Sequence, residues 1–247
     1  MLRPELGAAF ALLTRLPVVP FLFPVSDAGP AQCVWAYPLV GAVVGGIGAG
    51  SYTLLAWAGL PPALSAAWAL AVTFLATGAL HEDGLADTAD GFGGGANPER
   101  KLAIMRDSRI GSYGALALLV STAVRWAAAT ELGATGRIVP ALIAAGALSR
   151  GALAIPLLAL RPAREDGLAA PLRDAALVRT LLGPALALAL AFTLLPSRGA
   201  ACAVVLTAGV ALTFTVLARR QVGGYTGDVL GACAVLVECV VLSGLAA

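Results

Sequence analysis

Three aspartates with helical spacing are the residues of this sequence best suited to chemistry. Asp83, Asp87 and Asp90 follow one another at i, i+4 and i+7, so a helix would place them within an arc of about 60° on one face. Carboxylates grouped in this way repel one another unless a cation lies between them. Hard oxygen donors favour Mg²⁺, which usually keeps positions open for water and substrate phosphates. The spacing therefore predicts a Mg²⁺ site, against the alternative of a solvated acidic helix face.

Four polar residues close to this motif are candidates for substrate contact or proton transfer. His81, the only histidine, and Glu82 directly precede Asp83, and we expect both to contact substrate, although a lone histidine is equally compatible with a packing role. Asp87 and Asp107 are the candidate proton acceptors, since a carboxylate within reach of a hydroxyl can act as a general base. Asp107 is also a candidate fourth metal ligand.

Several arginines are candidates for holding phosphate, and for those in loops the alternative is an ordinary positive-inside role in membrane orientation. Arg106 and Arg109 follow the acidic motif, and their guanidinium groups could bind phosphate oxygens in a bidentate manner. Arg150 lies within an apolar stretch, where a charge is expensive and is usually functional or paired; its alternative is an ion pair with Glu238. Arg125, also in an apolar stretch, is expected to extend towards Glu131 at the membrane surface.

A glycine-rich stretch near the C-terminus, residues 223–228, carries two further candidates. Its glycines would let backbone N–H groups approach an anion, and Thr226 or Asp228 could cap the helix that follows. We expect both residues to take part in substrate binding. The alternative for Asp228 is that it is only a helix cap.

The composition shows what kind of molecule must position these residues. The chain has 247 residues, of which 59% are hydrophobic and 12% are charged, and its mean hydropathy is +0.88. A soluble domain of this size could not bury so much apolar surface and still present a polar exterior. Soluble enzymes, secreted disulfide scaffolds and disordered chains are therefore excluded. The net charge of +2 gives no indication of nucleic-acid binding.

The apolar residues fall in seven blocks long enough, or nearly long enough, to cross a bilayer as helices. The blocks are approximately residues 31–58, 62–80, 110–130, 138–160, 180–196, 200–218 and 227–246. Residues 5–19 are too interrupted to span and suit an interfacial or partly inserted helix. The predicted fold is an all-α, polytopic membrane bundle of about seven transmembrane helices, forming a single integral membrane domain over residues 1–247. A GxxxG-like run from Gly41 to Gly50 favours close packing within this bundle and leaves a homo-oligomer contact open.

The basic residues are distributed very unevenly between the two sides of this bundle. Twelve of the sixteen fall in residues 1–30, 81–109, 161–179 and 219–226, and only two lie in the opposite loops. The positive-inside rule makes the first side cytoplasmic. The acidic motif and its loop, residues 81–109, then face the cytoplasm, together with the other candidate site residues in loops.

These motifs resemble one family in particular. The string HEDGLADTADGFGGG, followed by ERKLAIMRDSRIGSYGALAL, is similar to cobalamin synthase, the adenosylcobinamide-GDP ribazoletransferase family. The later segments Ala163–Leu168 and Gly223–Ala232 resemble further motifs of that family, in the same order along nearly the whole chain. Two independent motifs of this length are far more specific than a single glycine-rich loop.

The resemblance implies a Mg²⁺-dependent enzyme of the bacterial inner membrane with its active site facing the cytoplasm. Such an enzyme joins adenosylcobinamide-GDP to α-ribazole, or to its 5′-phosphate, and releases GMP. Its partners would be these small molecules and the lipid bilayer. Metal held by the three aspartates would neutralise the diphosphate oxygens, and Arg164 would join Arg106 and Arg109 in holding phosphates.

Two alternatives remain open from the residues. One is a lipid enzyme like the CDP-alcohol phosphotransferases, which also use clustered aspartates beside a membrane helix. Their pattern has a longer gap between aspartate pairs than the eight residues from Asp83 to Asp90. The other is a transporter, motivated by Arg125, Arg150 and Glu238 within spans. A transporter would place its polar groups near the midplane, whereas here the dense motifs lie in loops on one side.

Overall fold

The computed structural model describes residues 2–17 and 28–247, and its regular elements there are helices apart from one isolated parallel bridge between Pro162 and Tyr225. The helices are α1 (Leu2–Leu13), α2 (Tyr37–Trp57), α3 (Pro62–Thr77), α4 (Leu80–Gly94), α5 (Pro98–Ile104), α6 (Ser112–Ala134), α7 (Ile138–Gly151), α8 (Ala154–Ala159), α9 (Leu177–Leu194), α10 (Ser197–Val222) and α11 (Gly227–Ala246). A short helix, Pro30–Cys33, and a 3₁₀ turn, Val34–Ala36, lead into α2. The all-α prediction is confirmed.

Six spans in the described residues are long and apolar enough to cross a membrane. They are Pro30–Trp57, Ser112–Ala134, Ile138–Ala159, Leu177–Leu194, Ser197–Val222 and Gly227–Ala246. A seventh is reached if α3 and α4 count as one span, although they meet at 89°. Many large apolar side chains on these helices are exposed, including Trp57, Leu119, Val178 and Val205. Such a surface suits lipid, and the predicted polytopic bundle is confirmed.

Helices α2 and α7 pack closely through glycine. A Cβ added to Gly41 would lie 2.0 Å from the Gly146 carbonyl oxygen, and one added to Gly45 would lie 2.2 Å from that of Leu142. No side chain fits at either position, so the glycine-rich run brings the two backbones together as predicted for packing within the bundle.

Helix α4, which carries the three aspartates and is called the acidic helix below, does not continue α3. The chain turns at Gly78 and Ala79, both of which have a positive φ, at 63° and 53°. The backbone N–H of Arg15 donates to the Ala76 carbonyl at 2.7 Å, and this bond satisfies one of the last carbonyls of α3. After the turn the acidic helix runs across the first turns of α6 and α11, at the end of the bundle predicted to face the cytoplasm.

The N-terminal helix α1 packs on the bundle through a buried carboxylate. Glu5 accepts a hydrogen bond from Trp35 Nε1 at 2.7 Å and pairs with Arg179 at 2.9 Å. A helix was predicted over residues 5–19; the structure gives Leu2–Leu13, and residues 18 and 19 lie outside the described part. Because α1 is held in this way, its last residues reach the neighbourhood of the acidic helix.

Candidate active site

Close backbone contacts hold the acidic helix against the start of α11. A Cβ built on Gly84 would lie 2.9 Å from the Asp228 carbonyl oxygen, and one built on Gly231 would lie 3.3 Å from the Cα of His81. Side chains at these glycines would crowd the neighbouring backbone. The contact brings the turn that carries Asp83 next to the loop at residues 223–228, so two of the sequence motifs share one place.

The three aspartates have different surroundings although they belong to one helix face. Asp83 is exposed, Asp87 is half-buried and Asp90 is buried. Both carboxylate oxygens of Asp90 accept backbone N–H groups, from Gly111 at 2.7 Å and from Gly114 at 2.9 Å. Asp90 thereby satisfies N–H groups at the start of α6 that have no partner within the helix. It keeps fewer free lone pairs for a metal ion than the other two aspartates.

Carboxylates from two helices meet around Asp87: Asp83 and Asp87 on the acidic helix and Asp228 on α11. These three residues are called the acidic cluster below. Burial, followed by the charges of Asp83, Asp228 and Asp90, raises the pKa of Asp87 to about 7, while Arg164 opposes the rise. Clustered carboxylates behave in this way when no counter-ion lies among them. A hard divalent cation would relieve the repulsion, so the donor set has the chemistry that Mg²⁺ requires.

The protein alone does not complete a metal centre. Within residues 2–17 and 28–247, no group of three or more His, Cys, Asp or Glu side chains is arranged to hold a metal ion. Mg²⁺ is commonly bound by one or two carboxylates together with substrate phosphates and waters. The cluster at Asp83 and Asp87 fits that kind of site, in which substrate supplies the remaining oxygens.

Arg164 reaches the cluster from the loop between α8 and α9. Its Nη2 donates to Asp228 Oδ2 at 2.9 Å, and the Thr226 hydroxyl donates to the same oxygen at 3.2 Å. Thr226 also caps α11 by accepting the backbone N–H of Val229 at 3.2 Å. The buried Nη1 of Arg164 has no hydrogen-bond partner among the described residues. A free guanidinium nitrogen beside the carboxylates is suited to a phosphate oxygen.

The residues between α5 and α6 lie at the surface in ion pairs. Arg106 donates to both oxygens of Asp166 at 2.6 Å, and Arg109 pairs with Asp107 at 2.6 Å. Hydrogen bonds from Arg109 hold the pKa of Asp107 at about 2. The structure therefore joins Asp107 to Arg109 and leaves it outside the group of charges that surround Asp87. Arg106 is tied to the loop that also carries Arg164.

Glu82 and Arg150, which we expected to contact substrate, lie in a buried chain of ion pairs. Glu82 pairs with Arg125 at 2.7 Å, Arg125 lies 3.7 Å from Glu238, and Glu238 pairs with Arg150 at 2.8 Å. The expected extension of Arg125 towards Glu131 is wrong, because Arg125 is only 2% exposed and faces the bundle interior. For Arg150 the ion-pair alternative is the arrangement observed. Charges within a span must find partners in the protein because lipid offers none.

A cavity of about 240 Å³ opens beside the acidic cluster. Asp83, Asp228 and Arg164 line one part of it. Much of the remaining wall is apolar and comes from α1, the acidic helix, the junction between α7 and α8, the loop before α9, and α11. It includes Leu12, Leu13, Leu80, Leu153, Leu168 and Leu172. Sequence reasoning missed this cavity because its leucines belong to separate elements that only the fold brings together.

Two buried polar groups on the cavity wall lack partners. The Nδ1 of His81 and the hydroxyl of Tyr225 form no hydrogen bond with any described residue, although the two side chains are only 4% and 1% exposed. Both residues are among those that line the cavity. Burial, together with the charges of Arg150 and Arg125, lowers the pKa of His81 well below its usual range.

Sequence comparison decides the family. The family model CobS, cobalamin-5-phosphate synthase, matches residues 5–246. The chain belongs to this family. It is 42% identical over 238 residues to the adenosylcobinamide-GDP ribazoletransferase of Mesorhizobium japonicum, covering 96% of this chain and 91% of the relative. It is 44% identical over 251 residues to that of Rhizobium etli, covering 98% and 96%. No solved structure matches the chain.

Membership of the cobalamin-5-phosphate synthase family confirms the resemblance and the enzyme class drawn from the motifs. The chain is a ribazoletransferase of cobalamin biosynthesis and a multi-pass membrane protein of bacteria. The CDP-alcohol phosphotransferase and transporter alternatives are set aside. The roles of single residues, the metal and the orientation in the membrane stay predictions.

Proposed function

We propose that the chain joins adenosylcobinamide-GDP to α-ribazole, or to its 5′-phosphate, and releases GMP, with the acidic cluster as its catalytic centre. The activity for which its relatives are named, adenosylcobinamide-GDP ribazoletransferase, supports the substrates. The observation that supports the site is the meeting of Asp83, Asp87 and Asp228 with the partly unpaired Arg164 at one end of the bundle. Carboxylates for a metal and a guanidinium for phosphate are what transfer at a diphosphate requires.

In this reaction a ribose hydroxyl of α-ribazole attacks the phosphorus attached to the cobinamide arm. The new oxygen–phosphorus bond replaces the bond to GMP, which leaves with the electron pair. Positioning and charge neutralisation supply most of the catalysis in such transfers. Arg164 would hold a phosphate oxygen through its free Nη1. Arg106 and Arg109 would bind further phosphate oxygens after releasing Asp166 and Asp107, with which they pair in the structure.

Asp87 is the better placed of the two predicted proton acceptors. It lies within the carboxylate cluster, half-buried and beside the cavity residues Asp83 and Asp228. Asp107 is partly exposed and bound to Arg109, and a carboxylate with a pKa of about 2 is a weak base. We therefore assign proton transfer to Asp87, and Asp107 could serve only if Arg109 left it.

Asp83 and Asp87 would hold the Mg²⁺ ion, whereas Asp90, the third ligand expected from the sequence, accepts the N–H groups of Gly111 and Gly114 and would contribute least to the metal. Bound there, the ion would neutralise charge on the diphosphate oxygens and orient the leaving group. The distribution of basic residues supports a cytoplasmic position for this centre in the inner membrane. His81, Thr226 and Asp228 would contact substrate from the two helices that meet at the cluster.

The proposal is tested by GMP release. Purified protein in lipid vesicles, given adenosylcobinamide-GDP, α-ribazole and Mg²⁺, should form GMP and a cobalamin product in equal amounts. Chelation of the metal should stop the reaction and added Mg²⁺ should restore it, because the carboxylate cluster needs a hard cation. Full activity after chelation would contradict the metal assignment, and absence of GMP with both substrates present would contradict the activity.

A further inference from the structure

The cavity beside the acidic cluster is too small for most of the proposed reactants. Its volume of about 240 Å³ lies below the roughly 300–1,000 Å³ typical of pockets for drug-sized ligands. A corrinoid could not enter it, whereas a single bicyclic aromatic ring is of the appropriate size. The occupant must also tolerate the apolar wall formed by the leucines named above.

The largely apolar wall favours one of the two bicyclic bases in the proposed reaction, dimethylbenzimidazole, over the other, guanine. Guanine carries hydrogen-bonding groups around its edge, and an apolar wall would leave them unsatisfied at a cost of about 1–3 kcal/mol each. The base of α-ribazole, dimethylbenzimidazole, presents two methyl groups and, once joined to ribose, a single free ring nitrogen. That nitrogen accepts one hydrogen bond and donates none.

Among the donors at the cavity, which include His81 and Arg164, the Tyr225 hydroxyl is suited to such a nitrogen. Tyr225 is 1% exposed, it lines the cavity, and its hydroxyl has no hydrogen-bond partner among the described residues. A buried hydroxyl without a partner is rare and calls for a ligand or a water. Asp83, Asp228 and Arg164 line the same cavity, so a ribose extending from a ring held there would reach the acidic cluster.

We infer that this cavity is the subsite for the base of α-ribazole. The dimethylbenzimidazole ring packs against the leucine wall, its free nitrogen accepts a hydrogen bond from Tyr225, and its ribose points to Asp83 and Asp228. This inference rests on the proposed function for the identity of the ligand. It assigns a specificity role to Tyr225 and Leu168, neither of which is among the residues assigned to catalysis.

Binding of α-ribazole alone tests the inference without any transfer reaction. Equilibrium dialysis with purified protein should show that α-ribazole binds on the order of tenfold more tightly than the same riboside lacking both methyl groups, since each buried methyl contributes roughly a factor of four. Tyr225→Phe should weaken binding of α-ribazole about two- to tenfold, as expected for one lost hydrogen bond. It removes the unpaired hydroxyl, so the variant should unfold at the same or a higher temperature.

Leu168 provides a variant with a matched control. It lines the cavity and is 68% exposed, while Leu177 is 61% exposed and does not line it. Leu168→Ser should weaken binding of α-ribazole and reduce the preference for the methylated base, and Leu177→Ser should change neither. In the transfer assay the KM for α-ribazole should rise in Leu168→Ser and Tyr225→Phe, with the KM for adenosylcobinamide-GDP unchanged.

Failure of the inference is distinguishable from failure of the proposed function. Unaltered α-ribazole binding in both cavity variants, or equal binding of the two ribosides, would overturn the base subsite even if GMP is released. A rise confined to the KM for adenosylcobinamide-GDP would assign the cavity to that substrate and also overturn it. Normal base selectivity in binding without GMP release would support the subsite and contradict the proposed reaction.

Discussion

At the residue scale, Asp83 and Asp90 show how one helix face can carry two different roles. The carboxylate of Asp83 is exposed and forms no ion pair within the described residues, whereas Asp90 accepts two backbone N–H groups. Under the proposed function, Asp83→Asn should abolish most GMP release without changing thermal stability, because the Asp83 carboxylate has no ion-pair partner among the described residues and would serve metal and substrate. Asp90→Asn should unfold more easily, by about 1–3 kcal/mol, because an amide NH₂ cannot accept a backbone N–H.

Thermal unfolding and GMP release, measured on both variants at saturating Mg²⁺, separate these roles. A large loss of stability in Asp83→Asn would show that its carboxylate has a structural partner. The opposite result would be an Asp90→Asn variant that keeps its stability but loses activity, with the activity restored by extra Mg²⁺. Asp90 would then be a metal ligand, as proposed for Asp83. The two aspartates thus serve as controls for each other.

At the element scale, the buried ion pairs attach the acidic helix to three spans. Glu82 extends from the acidic helix to Arg125 on α6, and Glu238 on α11 connects Arg125 to Arg150 on α7. Arg125→Leu would leave Glu82 without its partner in a buried position and should destabilise the protein by on the order of 3–5 kcal/mol. The unfolding midpoint in detergent would measure this, with Arg198→Leu, an exposed arginine at the opposite end, as the silent control.

A double variant shows whether lost charge balance is the cause. Arg125→Leu combined with Glu82→Leu leaves Arg150 and Glu238 as a neutral pair at 2.8 Å. The double variant should therefore be more stable than Arg125→Leu alone, as buried pairs replaced together by apolar residues often are. If the two substitutions destabilise additively, Arg125 contributes through packing, for example against the Phe74 ring 5.1 Å away.

At the scale of the whole molecule, the sequence predicted the membrane spans, because their positions follow from local apolar patterns. The block 227–246 matches the observed Gly227–Ala246, and the block 31–58 is shifted by one residue at each end from Pro30–Trp57, because apolar length and flanking polar residues set helix ends in a bilayer. The break at residues 78–79 was not predicted, since the apolar pattern continues through it. The partners of Arg125 and Asp90 lie 43 and 21–24 residues away along the chain, where spacing alone gives no information.

Orientation in the membrane is also a property of the whole molecule, because it depends on how the basic residues are distributed over the whole chain. Twelve of sixteen basic residues fall on the side of the acidic cluster, so that side should remain cytoplasmic. After replacement of the exposed Cys202, a membrane-impermeant maleimide added to intact cells should label Ser197→Cys and leave Glu99→Cys unlabelled. Both positions are exposed in the structure, and permeabilisation should make both react. Labelling of Glu99→Cys in intact cells would place the acidic cluster outside, where it would have no access to cytoplasmic substrates.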